Sequence, residues 1–127
     1  MDLTFTQINN LYEALTAMKE QTLPFKLSLI IAKNLGLLEQ ELNFYIQQER
    51  EFANKYLQKD ENGMFIQEQE GIFKIIEGLE EECRMAREDL DKFTAHIELR
   101  TIPIALVENM ELTPKEVGAL EVIIEEE

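Results

Sequence analysis

A mainly all-α fold is predicted for this chain: a long antiparallel helical hairpin of coiled-coil type, with a short N-terminal and a short C-terminal helix packed at one end. Three observations predict it. Ile31, Leu35, Leu38, Leu42, Tyr45, Glu49, Phe52 and Tyr56 form one stripe, and Ile72, Ile76, Leu79, Cys83, Ala86, Leu90, Phe93 and Ile97 form another. Both step by alternating four and three residues, the spacing of a coiled-coil seam. Lys59-Asp60-Glu61-Asn62-Gly63 lies between them as a turn signal. Finally, 3 prolines and 5 glycines in 127 residues leave long helices intact. Two long helices joined by a short loop run antiparallel.

The elements follow in order. Thr4 caps helix 1, with Gln7 three residues on to complete a capping box and Leu3 and Ile8 as a hydrophobic staple. Helix 1 is expected over residues 5–20. Helix 2 is expected over 24–57, because Pro24 suits a first helical turn. Its first half is apolar on several sides and needs more than one neighbour; its second half is polar outside the seam. Met64-Phe65-Ile66 is a short apolar run that could be a strand near 64–66. Helix 3 is expected over 69–96. A hairpin turning at residue 64 sets Tyr45 against Cys83, Phe52 against Ile76, and Glu49 against Leu79, and the same count leaves a shift by a whole heptad open. Glu49 is the flaw in that seam and is expected to turn out to solvent, because burying an unpaired carboxylate is costly. Residues 97–102 alternate apolar and polar, as a half-buried strand does. Thr113-Pro114-Lys115-Glu116 combines a cap, a proline at the first helical position and a capping box, which starts helix 4 over 114–125. The acidic end, Glu125-Glu126-Glu127, opposes the helix dipole and is expected to fray. One domain, 1–127, is expected from this length.

Composition narrows the function classes. There are 26 acids against 12 bases, a formal charge of −14. Residues 64–127 carry seventeen acids and six bases, so the imbalance is concentrated there. This sign argues against direct nucleic-acid binding, which needs clustered Lys and Arg. A single cysteine permits no internal disulfide and fits a reducing compartment. The chain opens without a signal-peptide pattern and holds no apolar run long enough to span a membrane, so a cytoplasmic protein is expected.

The residues offer little chemistry. His96 is the only histidine and Cys83 the only cysteine, too few for an ordinary transition-metal site. Asp60-Glu61-Asn62-Gly63 lacks the spaced ligands and closing Glu of a calcium loop. Glu77 with Glu80, and Glu88 with Asp91, have the carboxylate spacing used by helical nucleotide pyrophosphohydrolases, but all four fall on one expected helix and cannot converge. No metal or cofactor is expected. Two surfaces are candidates for contact instead. The far end of the hairpin exposes apolar edges at Tyr56, Met64, Phe65, Ile66 and Phe73. Helix 3 presents an acidic face at Glu77, Glu81 and Glu88.

Several short stretches carry a resemblance. They are Leu3-Thr4, Gln7-Ile8, Leu11-Tyr12, Leu23-Pro24, Ile31-Ala32-Lys33-Asn34, Lys59-Asp60-Glu61-Asn62-Gly63, Leu112-Thr113-Pro114 and Ala119-Leu120. Together the chain resembles small proteins encoded by bacteriophages and prophages of Gram-positive hosts, a group with no catalytic residues to carry over. The resemblance implies the cytoplasm of an infected bacterium. The expected function is a non-enzymatic protein–protein interaction module that binds a protein partner or a second copy. The alternatives are a phage assembly factor or minor structural component, an acidic nucleic-acid mimic that inhibits a host protein, and, most remotely, a carboxylate-dependent metal enzyme.

Overall fold

The Thr4 hydroxyl accepts a hydrogen bond from the Gln7 N–H at 3.2 Å, and the Gln7 side chain accepts one from the Thr4 N–H at 2.9 Å. This capping box satisfies two of the orphan donors at the start of the first helix. The same device recurs at Thr113 and Glu116, at 3.1 Å in both directions. Between these two boxes the computed structural model, which describes residues 1–126, departs from the expected hairpin. Glu127, part of the acidic end expected to fray, lies outside the described residues.

The elements run β1 (Asp2–Thr4), α1 (Phe5–Met18), α2 (Phe25–Tyr56), β2 (Gln67–Gln69), β3 (Ile72–Phe73), α3 (Glu80–Asp91), β4 (Thr94–His96), β5 (Ile102–Pro103), α4 (Pro114–Leu120) and β6 (Ile124–Glu125), with 3-10 turns at Ile104–Leu106 and Glu121–Ile123. The strands form three two-stranded sheets among the described residues. β1 with β4 and β2 with β3 are antiparallel, whereas β5 with β6 is parallel. The mainly all-α hairpin is therefore overturned in favour of a mixed α/β fold.

Helix 3 accounts for most of the difference. Expected over 69–96, it is confined to Glu80–Asp91. Gly71 and Gly78 stand at φ of 80° and 93°, left-handed values that a right-handed helix cannot pass through. Ile72, Phe73, Ile75 and Ile76 between them are β-branched or aromatic and suit a pleated surface. At the other end Lys92 caps the helix, and Thr94–His96 leaves to pair with Asp2–Thr4. The strand expected near 97–102 keeps only Ile102–Pro103, and the one expected near 64–66 lies at Gln67–Gln69, with Phe65 in a single bridge to Lys59.

The chain divides into two compact units, Met1–Asn43 with everything from Thr94 onward, and Phe44–Phe93. In the first, α1 packs against α4. Ile8, Leu11, Leu15 and Met18 of α1 meet a core that includes Leu27, Ile31 and Leu38 of α2 with Ile102, Leu120 and Ile123, all 0–2% exposed. Burying a side chain of this size is worth about 1.5–3 kcal/mol. Among the described residues, one polar residue is buried in that core. Asn34, fully buried, accepts the Arg100 N–H at 2.8 Å and donates to the Arg100 carbonyl at 2.9 Å. Its amide thus pairs with the backbone as a strand neighbour would, which fixes the segment between β4 and β5 at Arg100.

Candidate functional site

The Phe44–Phe93 unit carries the apolar residues that the sequence marks for contact. Its β portion closes on itself. The Gln58 N–H donates to the Lys74 carbonyl at 2.8 Å, the Lys74 N–H to the Ile66 carbonyl at 2.8 Å, and the Ile66 N–H to the Gln58 carbonyl at 3.0 Å. Three chain segments spaced eight residues apart thus form a ring of hydrogen bonds, each residue giving one and taking one. The backbone of all three is satisfied without a wide sheet.

Turns set that spacing. Asp60 Oδ1 accepts from the Asn62 and Met64 N–H groups at 2.8 and 3.0 Å, and Gly63 takes φ of 80°. The second turn repeats the device at Gly71, whose N–H reaches the Gln67 side chain at 3.2 Å. Each glycine is followed by an apolar residue and a phenylalanine, Met64-Phe65 and Ile72-Phe73. The two rings meet edge to face, with centroids 6.3 Å apart, an arrangement favoured by the ring quadrupole. This short internal repeat is the signal in the sequence for the β portion, and heptad counting hides it.

The helices of the unit pair in a different register from the expected one. Tyr45 faces Phe93 with centroids at 5.5 Å, not Cys83, and Glu49 faces Arg87, not Leu79. The midpoint between the end of α2 and the start of α3 lies near Glu68, which moves every facing pair along by about one heptad. This also removes the flaw in the seam. Glu49 does not turn out to solvent. It takes two parallel hydrogen bonds from the Arg87 guanidinium, at 2.7 and 3.0 Å, and one from the Tyr45 hydroxyl at 2.7 Å. Arg87 also reaches Asp91 at 2.8 Å and lies 5.0 Å from the centre of the Phe52 ring. The hydrogen bonds from Arg87 hold the Glu49 carboxyl below its ordinary range, against partial burial that acts the other way. Burial, with Glu49 beside it, pushes the Tyr45 hydroxyl up.

An open groove of about 670 Å³ lies along this network. Phe52, Leu57, Phe65, Ile72, Phe73 and Ile75 line it, with Cys83, and Glu49, Glu80, Arg84 and Arg87 supply its charge. Of the expected contact residues, Met64 and Phe73 are exposed, and Phe65 and Ile66 are half-buried. Tyr56, expected at an exposed edge, is only 6% exposed, its ring 5.2 Å from that of Phe52. Ile72, 52% exposed, stands beside the others, although the apolar spacing places it in the helical seam.

The acidic face is divided. Glu77 precedes α3, whereas Glu81 and Glu88 lie on it and both pair with Arg84 between them. Pairing with Arg84 keeps the Glu81 carboxyl below its ordinary range. Cys83 is buried, and burial pushes its thiol up, away from the thiolate a nucleophile needs. Among the described residues, no three His, Cys, Asp or Glu side chains gather in a way that could hold a metal ion. Likewise, no helix is long and apolar enough to cross a membrane. No protein-family model, curated protein or solved structure matches this chain.

Proposed function

We propose that this chain is a non-enzymatic protein-interaction module, and that the groove of the Phe44–Phe93 unit holds an apolar segment of a partner protein. One observation carries this. Ile72 and Phe73 are 52% and 40% exposed, and both line the groove directly after the left-handed Gly71, which lines it too. Large apolar side chains gathered at one place outside the core mark contact surfaces more often than scattered ones do. The Phe65–Phe73 pair and the Glu49–Arg87–Phe52 stack prearrange the groove walls, which lowers the ordering cost of binding. The resemblance to phage proteins supplies the setting, the cytoplasm of an infected bacterium.

The test is site-specific photo-crosslinking in expressing cells, with the reactive residue at Ile72, Phe73 or, for comparison, exposed Glu20 in the other unit. Adducts from positions 72 and 73 but not 20 are expected. Ile72→Ser removes a half-exposed side chain that contributes little to the core, so it should abolish binding of the purified partner with unchanged circular dichroism. Phe65→Ser with Ile66→Ser should do the same at some cost in stability. Equal adducts from all three positions, or undiminished binding by the Ser variants, would overturn the proposal. Light scattering separates a second copy from a different protein.

A further inference from the structure

A second groove lies in the other unit. Its walls are the 3-10 turn at Ile104–Leu106 with the residues after it, and α4 with the 3-10 turn at Glu121–Ile123. Val117 and Leu120 of α4, with Ile124 of β6, line one wall, and Ile104, Val107 and Met110 line the other. The parallel pairing of Ile102 with Ile124 and Pro103 with Glu125 ties the walls together at one end. The Thr101 hydroxyl reinforces this, donating to the Glu125 carboxylate at 3.0 Å. The space is about 470 Å³, within the range of ligand sites. Val117 is 53% exposed and Ile104 37%.

The charge of the lining is of one sign. Glu108, Glu121 and Glu126 contribute to it, and no Lys, Arg or His does. An apolar cleft edged only by carboxylates repels nucleic acid, anionic lipid and acidic peptides. It complements a chain segment with apolar residues on one side and Lys or Arg on its flanks. An amphipathic helix lying in a groove presents one apolar face with charged flanks of this kind. We propose that this cleft binds a cationic amphipathic helix of a partner protein. It would be a second contact site, independent of the Phe44–Phe93 groove.

The probe is a fluorescein-labelled amphipathic Leu/Lys peptide, titrated with the full chain by fluorescence anisotropy. A scrambled peptide of the same composition and a Leu/Glu counterpart serve as controls. The amphipathic Leu/Lys peptide should bind, and neither control should. Val117→Ser changes an exposed side chain and should weaken binding. Glu108→Gln with Glu121→Gln should weaken it by roughly fivefold and flatten its salt dependence, as expected for two exposed ion pairs. The peptide should also slow amide exchange over residues 104–126 and leave residues 57–79 unchanged. Equal binding of the scrambled peptide would show only diffuse attraction and overturn the proposal. Indifference to Val117→Ser, or protection at 57–79 instead, would also overturn it. A concentration-dependent dimer lost on Val117→Ser would make a second copy the occupant and equally refute it.

Discussion

Replacing Asn34 tests how the first unit is held together. Its amide makes two hydrogen bonds to Arg100, at 2.8 and 2.9 Å, from a fully buried position. Asn34→Ala removes both and strands an N–H and a carbonyl of the Arg100 backbone. Each unsatisfied group costs about 1–3 kcal/mol, so the variant should lose roughly 3 kcal/mol, allowing for partial entry of water. That is a large share of the about 5–15 kcal/mol typical of a domain and should lower the melting temperature by roughly 10 °C. Asn34→Asp is the sharper variant. One carboxylate oxygen can still accept the Arg100 N–H, but the other faces the Arg100 carbonyl, and burial opposes its charge. Protonation of the introduced carboxyl would restore both bonds. Its folded pKa is therefore raised, the native state holds the proton longer than the unfolded state, and stability falls as pH rises above the unfolded value. The assay is urea denaturation followed by far-UV circular dichroism at pH 4 and pH 7. Asn34→Asp should be more stable than Asn34→Ala at the lower pH and lose that advantage at the higher. A cost below about 1 kcal/mol for Asn34→Ala, or the same gap between variants at both pH values, would refute the pairing role of Asn34.

Three further outcomes are expected. Gly36→Ala and Gly71→Ala should differ in sign. Both positions have open space where a Cβ would sit, but Gly36 lies inside α2 and Gly71 stands at φ of 80°. The first should gain about 0.5–1 kcal/mol and the second lose about 1–2 kcal/mol in urea denaturation. Glu49→Gln should cost about 1 kcal/mol at pH 7, since both partners keep 35% side-chain exposure and screening weakens the pair. The folded pKa of Glu49 is depressed, so its stabilisation is present above the unfolded value and lost as pH falls through the folded one; the difference from the unsubstituted chain should therefore shrink by pH 3. His96, paired with Asp2 at 2.8 Å and Glu98 at 2.5 Å, titrates above its ordinary value, chiefly through the Asp2 hydrogen bond. Its contribution is complete below pH about 6.5 and lost as pH rises through the folded pKa; NMR titration of this sole histidine should show a lower midpoint in Asp2→Asn.

The parts of the fold that could be seen in the sequence are those decided within a few residues. Thr4 with Gln7 and Thr113 with Glu116 start helices because a short side chain meets an N–H three residues on, and nothing distant alters that. Asp60 to Gly63 turns the chain for the same reason. The 69–79 stretch is hidden because its apolar spacing fits two periods. Ile72, Ile76 and Leu79 continue a heptad, and the same isoleucines also suit a pleated strand. Conformation at Gly71 and Gly78 separates the two, and a glycine in a sequence permits left-handed φ without requiring it. That choice then sets the register. With 57–79 folded as β segments and turns, Glu49 falls opposite Arg87, and a carboxylate that looks misplaced in an apolar seam becomes the acceptor of a guanidinium and a phenol. Asn34 lies deeper still, because its partner is a backbone group 66 residues away, and a backbone group carries no residue-specific mark. The candidate contact residues divide along the same line. Met64 and Phe73 are exposed because each is near a left-handed glycine at a turn. Tyr56 is buried because the strands that follow it fold back, its carbonyl taking the Ile76 N–H at 2.9 Å, where a bare helical loop would have left it open. Exposure at this end of the unit is thus a consequence of the β closure, and a variant that straightens Gly71 into helix should lose both the groove and the site.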